Sequence, residues 1–327
     1  MKNSFATRLL SLGTASLLCT LLACSRQDRS TESATFANNM EARMQNVIPS
    51  QNLDYIVSYR ALSVLRDLDS VIANVRGLNP QRSALSCFVT EEAAGLFLCV
   101  GNNKAAQHIP LNRAAIFAES RPPLGIKQSG VIVPQQTSES GYEKSSGHDL
   151  TEQNLQVFFQ ALKARCPDAS CILPGEMDFA QKVMPEFSRI YPYGYSVVSV
   201  DTSSGDELKR SLRHEISHGQ FFQQQQYRAA VYGFWNSLSP ELRIAASVFI
   251  GKSYDQANID LIINEFHAFT LDNSYANIPD NYLVQLAQSD PNYAASLRLL
   301  TQNAAYLRES LLTYLRAAVP LVLYEKL

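Results

Sequence analysis

The sequence has no marked excess or shortage of residue types that would set it apart from ordinary globular proteins. Its 327 residues include 14 Gly and 14 Pro, and 46% of them are hydrophobic while 18% are charged. These values exclude collagen-like, low-complexity and intrinsically disordered chains. The formal net charge is -2, so there is no excess of positive charge. Nucleic acid is therefore not expected as a partner.

Long apolar runs are also missing, apart from one near the first residue. Leu9 to Ala23 is an almost uncharged stretch of about 15 residues that follows Lys2 and Arg8. A stretch of this length is too short to span a bilayer as a helix, but it suits the core of a signal peptide. We expect no membrane-spanning segment in the rest of the chain.

The run from Leu21 to Cys24 closes this apolar stretch and reads Leu-Leu-Ala-Cys. It resembles the lipobox of bacterial lipoproteins, which implies removal of residues 1–23 and an acylated Cys24 inserted in a lipid bilayer. Ser25, where such proteins can carry Asp, implies the periplasmic face of the outer membrane in the bacterial cell envelope. The polar residues 24–39 are expected to form a flexible tether. The alternative is a plain cleaved signal peptide with an unmodified Cys24.

Cysteine is scarce, and four residues of this type follow Cys24: Cys87, Cys99, Cys166 and Cys171. An exported protein folds in an oxidising compartment, so an even number of cysteines first indicates disulfides. Proximity favours the pairs Cys87–Cys99 and Cys166–Cys171, although four cysteines allow three connectivities. A zinc knuckle is the weaker alternative because the usual C-x2-C spacing is absent.

The pattern of apolar residues predicts an α+β fold. It has a small β-sheet in the N-terminal half and a predominantly helical C-terminal half. The body is expected to be one domain over residues 40–327, with a mixed α/β part at 40–200 and a helical part at 201–327. The elements expected in the mixed part are one or two helices at 40–76, a hairpin of 84–89 and 95–100 closed by Cys87–Cys99, a short strand at 131–133 within a long loop at 120–150, a helix at 151–165 and a strand at 195–200.

Histidine is also scarce, with five residues in the chain, yet two of them flank a glutamate as His214-Glu215-Ile216-Ser217-His218. On a helix, His214 and His218 lie one turn apart, so both imidazoles can reach one metal ion. Glu215 is rotated from them by about a third of a turn, which places its carboxylate near a water on that metal. The alternative is a surface helix with two solvated histidines.

A third metal ligand is expected further along the chain. The metzincin continuation would require Gly at position 221 and His at position 224, but the sequence has Phe221 and Gln224. Glu265 is the candidate instead, because it lies within the apolar segment 258–269 and a buried carboxylate needs a compensating cation. Asp272, further along the same helix face, could orient one of the histidines.

His214-Glu215-x-x-His218 together with the downstream Asn264-Glu265-x-x-Ala268 resembles the gluzincin group of zinc metallopeptidases. The resemblance implies a zincin-like fold with one Zn²⁺ per chain, held by His214, His218 and Glu265. It also implies that Glu215 acts as general base and then as general acid. Thermolysin-like members carry Asp four residues after the third ligand, where this chain has Phe269.

The same resemblance implies a residue that stabilises the transition state and a strand that binds substrate. Four side chains are candidates for the first role: Tyr227, Tyr254, His267 and Tyr275. His267 is the least suitable, since it is turned about 200° from Glu265 on a helix. In zincins an extended peptide pairs with an exposed strand. The segment 195–200 is the first candidate for that strand, and the strand at Val131 is the second.

These observations predict a lipid-anchored zinc metallopeptidase. Its substrate is expected to be an envelope protein or peptide, hydrolysed by a zinc-bound water that Glu215 activates. Two alternatives stay open. One is a non-catalytic zinc-binding lipoprotein that serves as an interaction module, and the other is an amidase that acts on cell-wall peptides.

Overall fold

A computed structural model describes residues 58–59, 63–65, 68–79, 82–90, 93–119, 147–165, 168, 172–202, 207–276 and 278–319. All of them belong to one compact unit, Leu53–Leu327, while a second unit, Met1–Asn52, lies outside the described residues. The signal peptide, Cys24, the tether, the strand at 131–133, Cys166 and Cys171 also lie outside them. Predictions that concern these segments therefore stay predictions.

The strands form one mixed sheet. They are β1 (Ser58–Tyr59), β2 (Ser63–Val64), β3 (Ala84–Val89), β4 (Leu96–Gly101), β5 (Gly147–Thr151) and β6 (Ser196–Asp201). The order across the sheet is β1-β3-β4-β6-β5, and β2 also pairs with β3. Strand β6 is parallel to β4 and antiparallel to β5. Within the described part of the chain, β5 therefore forms one edge of the sheet.

The predicted hairpin and its disulfide are confirmed. Strands β3 and β4 are antiparallel, and Cys87 lies directly opposite Cys99. The two residues form a disulfide. In the connecting turn, the Thr90 hydroxyl donates to the carbonyl oxygen of Ala93 at 3.0 Å. The Cys87–Cys99 disulfide therefore joins the middle of β3 to the middle of β4.

The prediction of one or two helices at 40–76 is confirmed for residues 68–76 and wrong for residues 58–59 and 63–64. Strands β1 and β2 occupy 58–59 and 63–64, and helix begins with α1 (Leu68–Arg76). Both strands run parallel to β3, whose edge supplies hydrogen-bond partners that an isolated segment lacks. Short apolar runs do not by themselves distinguish helix from strand, so pairing with β3 decides the outcome.

Four further helices of the mixed part follow along the chain, and the helix predicted at 151–165 is confirmed. They are α2 (Lys104–Glu119), α3 (Glu152–Arg165), α4 (Pro174–Asp178) and α5 (Met184–Ile190), with a π-helical turn at Phe179–Val183 between the last two. Thr151 caps α3, because its hydroxyl oxygen accepts from the Asn154 amide at 3.1 Å. One apolar stripe of this helix is buried, namely Leu155, Phe158, Phe159 and Leu162.

The C-terminal part is helical as predicted. Its helices are α6 (Leu208–Gln223), α7 (Gln225–Ser237), α8 (Pro240–Ile250), α9 (Ile259–Asp272), α10 (Asp280–Ser289) and α11 (Pro291–Ala318). Pro240 and Pro291 are the first residues of their helices, where a missing amide hydrogen costs nothing. Among the described helices, none is both long and apolar enough to cross a bilayer. Together with the sheet, these helices make the described part of the chain a mixed α/β fold with a small sheet and mostly helical content.

Helix α6 lies between two hydrophobic cores. Leu208, Leu212 and Ile216 pack with sheet residues, whereas Phe221 belongs to a core formed by helices α6 to α11. Gly219 allows the helix to approach the sheet, because a Cβ atom there would lie 2.2 Å from Leu96 Cδ1. The helix that carries both motif histidines is thus held on two sides by packed side chains.

Candidate metal centre

Helix α6 brings the two motif histidines together. The ring centroids of His214 and His218 are 4.7 Å apart, with the rings nearly perpendicular. The His218 side chain is 1% exposed and that of His214 is 13% exposed. The alternative of a surface helix with two solvated histidines is therefore wrong, because both imidazoles point into the protein.

Glu265, on helix α9, lies close to both imidazoles. Its Oε2 atom lies 3.7 Å from Nε2 of His214 and 3.7 Å from Nε2 of His218. Ligands at about 2.0–2.2 Å from a tetrahedral zinc are separated by about 3.3–3.6 Å, so only a small closure is needed. Ligand atoms of the three residues lie within 4.8 Å of one another and could hold a metal ion. The three predicted ligands thus come together from two helices.

The electrostatic environment of Glu265 suits a cation. Its Oε2 atom is buried and has no hydrogen-bond partner among the described residues. Burial by itself would raise the pKa of Glu265, but His218, His214 and a hydrogen bond from Tyr254 outweigh it and lower that pKa. A positive charge placed between the imidazoles would compensate such an ionised, buried oxygen without a hydrogen-bond partner.

Asp272 orients His214, as its position along α9 suggests. Its Oδ2 atom lies 2.9 Å from His214 Nδ1, which leaves Nε2 directed at Glu265. The other carboxylate oxygen accepts from the Ser274 amide at 2.7 Å and from the Ser274 hydroxyl at 2.5 Å. Phe269, at the position where thermolysin-like enzymes carry Asp, instead packs edge-on against the His214 ring at 4.6 Å.

Replacement of Asp272 by Asn is expected to weaken metal binding about 10- to 100-fold, because a partner of this kind fixes the orientation and basicity of its histidine. Competition with a chromogenic chelator measures this change. Asp280→Asn, at an exposed position at the start of α10, is the matched control and should bind metal as the unmodified protein does. Equal affinities in both variants would contradict a role for Asp272.

Glu215 lies next to the ligands and against strand β5. A Cβ atom on Gly147 would lie 2.1 Å from Glu215 Oε1, so only glycine leaves room for this carboxylate. Burial raises the pKa of Glu215 well above its usual value, although the nearby His214 opposes this. Its Oε2 atom has no hydrogen-bond partner within the described residues. A carboxylate in such surroundings has the raised proton affinity that a general base requires.

A fourth carboxylate, that of Asp149 on β5, lies in this region without having been predicted. Its electrostatic partners include His218, Glu265 and His214, and it acts in turn on Glu215. Asp149 lies in a five-residue strand without a recognisable motif. Only the pairing of β5 with β6 places it beside α6, so no sequence signal could have revealed it.

Three of the four candidates for transition-state stabilisation, His267, Tyr227 and Tyr275, are buried, and Tyr254 is half-buried. His267 is buried, stacks on Phe221, and has its Nε2 atom 3.3 Å from the carbonyl oxygen of Ser217. Burial, and the charge of His218, lower the pKa of His267 to about 3. Tyr227 packs against His267, and Tyr275 hydrogen-bonds with Thr270. Tyr254 is the candidate that reaches the ligand set, through Glu265.

The first candidate for an exposed strand is wrong. Strand β6, which covers most of 195–200, lies between β4 and β5, so both of its edges are already paired. Its completely buried sequence Ser196–Asp201 is typical of such a central strand. The described strand at the edge near α6 is β5.

Comparisons of the chain with protein-family models, with curated proteins and with solved structures give no match.

Proposed function

We propose that this chain is a zinc-dependent metallopeptidase of gluzincin type with a zincin-like catalytic domain. The observation that carries the proposal is the meeting of His214, His218 and Glu265 with Glu215 beside them. Two neutral imidazoles and one carboxylate form a ligand set that zinc prefers in catalytic sites. Glu215 adds a base that a purely structural site does not need.

The donor set fits zinc with an open position. The group that could hold a metal contains three residues in the described part of the chain. A structural zinc site usually has four protein ligands, whereas a catalytic one has three. Zn²⁺ bound there would supply a Lewis acid for the substrate carbonyl and lower the pKa of a bound water.

The residues of the chain would then carry out hydrolysis in two proton transfers. Glu215 accepts a proton from the attacking water while the water oxygen bonds to the carbonyl carbon of the substrate. The same carboxyl donates that proton to the amide nitrogen as the C–N bond breaks. The second proton of the water stays on the new carboxyl group, so the products are one carboxylic acid and one amine, which at neutral pH become a carboxylate and an ammonium group. Asp272 keeps His214 in place during both steps.

Strand β5 supports a peptide as the substrate. Among the described strands it lies at the edge of the sheet, and its backbone at Gly147 approaches Glu215. An extended peptide that pairs with such an edge would bring one of its carbonyl groups close to the base and the ligand set. We propose that this peptide belongs to an envelope protein, since the residues before Cys24 resemble a lipoprotein signal.

Digestion of a random peptide library, analysed by mass spectrometry, tests this function. The purified chain without residues 1–23 should contain about one zinc and cleave internal or terminal peptide bonds. Removal of the metal with a chelator should abolish cleavage, and added Zn²⁺ should restore it. Cleavage that persists without metal, or protein that holds zinc and cleaves neither library nor cell-wall peptides, would contradict the proposal.

A further inference from the structure

A second pair of histidines lies on the other side of strand β5. Gly147 approaches Glu215 of α6, and side chains alternate between the two faces along a strand. The next residue, His148, therefore faces away from α6 and towards α2, where its ring centroid lies 5.2 Å from that of His108. This separation is close to the 4.7 Å between the centroids of the two motif histidines.

The His148 imidazole is buried and lacks a partner for one of its nitrogens. The residue is 4% exposed, and its Nε2 atom has no hydrogen-bond partner among the described residues. Burial, and the charges of His108 and Lys104, lower the pKa of His148 to about 3. The ring is therefore neutral at pH 7, which is the form that binds metal ions. A buried polar atom of this kind costs free energy unless a ligand or a water reaches it.

Gln107 of α2 adds an oxygen atom beside this ring. Ser199 on β6 lies directly opposite His148, and the side chains of such opposed residues lie on the same face of a sheet. The amide nitrogen of Gln107 donates to the Ser199 carbonyl oxygen at 3.1 Å and to the Ser199 hydroxyl at 3.3 Å. Since a carbonyl oxygen only accepts, these bonds fix which end of the carboxamide faces Ser199. The remaining atom, Oε1 of Gln107, is buried and has no hydrogen-bond partner within the described residues.

The chemistry of these atoms favours a cation over an anion. An amide oxygen offers only lone pairs, and so does the unprotonated nitrogen of a neutral imidazole. The charged groups that act on His148 are His108 and Lys104, so the ligand set carries no carboxylate. Lys104 is half-buried, and its long side chain can turn its ammonium group to the solvent.

The same chemistry distinguishes this place from the zinc centre. The ligand set of the zinc centre includes the carboxylate of Glu265, whereas the set behind β5 is neutral. Nitrogen and oxygen ligands without thiolate or carboxylate are typical of tetragonal Cu²⁺ sites, and Cu²⁺ binds such ligands more tightly than the other divalent ions of its row. Zinc is therefore expected to occupy the centre on α6 and α9, and copper the set behind β5.

We propose that His108 and His148, together with Oε1 of Gln107, form a second metal site that binds Cu²⁺. The site joins α2 to β5, on the face of this strand that is turned away from the zinc centre. Because it shares no ligand with that centre, it does not depend on the proposed peptidase.

Titration of the zinc-loaded protein with Cu²⁺ tests this site. The protein should lack residues 1–24, so that the thiol of Cys24 does not compete for copper. We expect about one Cu²⁺ to bind per chain while the zinc content stays at about one, as measured by elemental analysis after gel filtration. Pulsed electron paramagnetic resonance should show imidazole nitrogen bound to the copper.

Two matched substitutions locate the copper. His148→Gln should weaken Cu²⁺ binding by at least about 100-fold, since the loss of a ligand costs more than the loss of an outer partner, and it should leave the zinc content unchanged. His218→Gln, which removes a predicted zinc ligand, should lose zinc and still bind Cu²⁺. This reciprocal result would establish two separate sites.

Three results would overturn the inference. The first is Cu²⁺ affinity that is equal in His148→Gln and in the unmodified protein. The second is copper that displaces zinc and no longer binds in His218→Gln, because that result would place it at the zinc centre. The third is an unmodified protein that binds no Cu²⁺, with only water beside His148 in a crystal soaked with copper; this result counts even if His148→Gln does not fold.

Discussion

Glu215→Gln should lower kcat/KM for peptide hydrolysis by about 10²- to 10⁴-fold, the usual contribution of a positioned general base. Glutamine keeps the size of the side chain in the space next to Gly147, but it cannot accept a proton from water. His214, His218 and Glu265 are untouched, so the zinc content should stay at about one per chain. Activity against a peptide identified by library digestion, together with elemental analysis, measures both quantities.

Glu309→Gln is the matched control for this substitution. Glu309 is exposed on helix α11 and contacts no member of the centre. The control should keep the activity of the unmodified protein. Undiminished cleavage by Glu215→Gln, with zinc bound, would remove Glu215 from the mechanism. Loss of zinc in that variant would instead mean that the carboxylate takes part in metal binding.

The second large effect is expected from the third ligand. Glu265→Gln removes the charge that lies between both imidazoles at 3.7 Å, so zinc should no longer copurify at one per chain. A metal that binds only the folded state adds about 4 kcal/mol of stability at 1,000 times its dissociation constant. Chelation should therefore lower the melting temperature of the unmodified protein and change that of Glu265→Gln little. Differential scanning calorimetry with and without a chelator measures the difference.

The effect of zinc on stability should also depend on pH. Burial by itself would lower the pKa of His214, but Asp272 and Glu265 outweigh it and raise that pKa well above the usual value. A proton must leave His214 before this residue can bind metal, so zinc affinity falls as the pH drops through this raised pKa. In the metal-free protein, the contribution of His214 to stability changes with pH in the opposite direction. A raised pKa in the folded state stabilises the protein at low pH, and this contribution is lost as the pH rises.

A zinc-dependent shift in melting temperature that is equal in Glu265→Gln and in the unmodified protein would contradict ligation by Glu265. A zinc-dependent shift that grows as the pH falls would contradict metal binding by His214, which must lose a proton first. Glu309→Gln again serves as the control, and it should show the full zinc-dependent shift.

Local patterns were sufficient for several parts of the fold. The hairpin of β3 and β4 followed from two short apolar runs with a turn between them, and Cys87 and Cys99 lie at matching positions in those runs. Pro240 and Pro291 are the first residues of α8 and α11, a position where proline is common. In each case the information lies within a dozen residues, and the structure adds only the register.

Long-range pairing decided what local patterns could not. Residues 58–64 have apolar spacing that suits a helix, yet the edge of β3 makes them strands. Segment 195–200 was recognised as a strand, but nothing in its own sequence says that β5 covers its second edge. An edge strand and a central strand differ by their neighbours, and the neighbour here comes from residues 147–151.

In the candidate site, too, local patterns predict some residues and only long-range contacts bring in the others. His214, Glu215 and His218 share one helix, so their spacing alone predicts their arrangement. Glu265 and Asp272 could be proposed because both are acidic residues on one apolar helix, and the structure brings them to His214. Gly147 and Asp149 could not be proposed, since a glycine and a single aspartate gain their meaning only when β5 lies against α6.

A crystal structure of the zinc-loaded protein, with anomalous data collected at the zinc absorption edge, tests the central claim most directly. We expect one anomalous peak per chain, at about 2.0–2.2 Å from Nε2 of His214, Nε2 of His218 and a carboxylate oxygen of Glu265. Glu215 should not be a ligand in that structure. A peak that lies away from these three residues, or no peak in protein that retains its full stability, would contradict the metal centre and the hydrolase built on it.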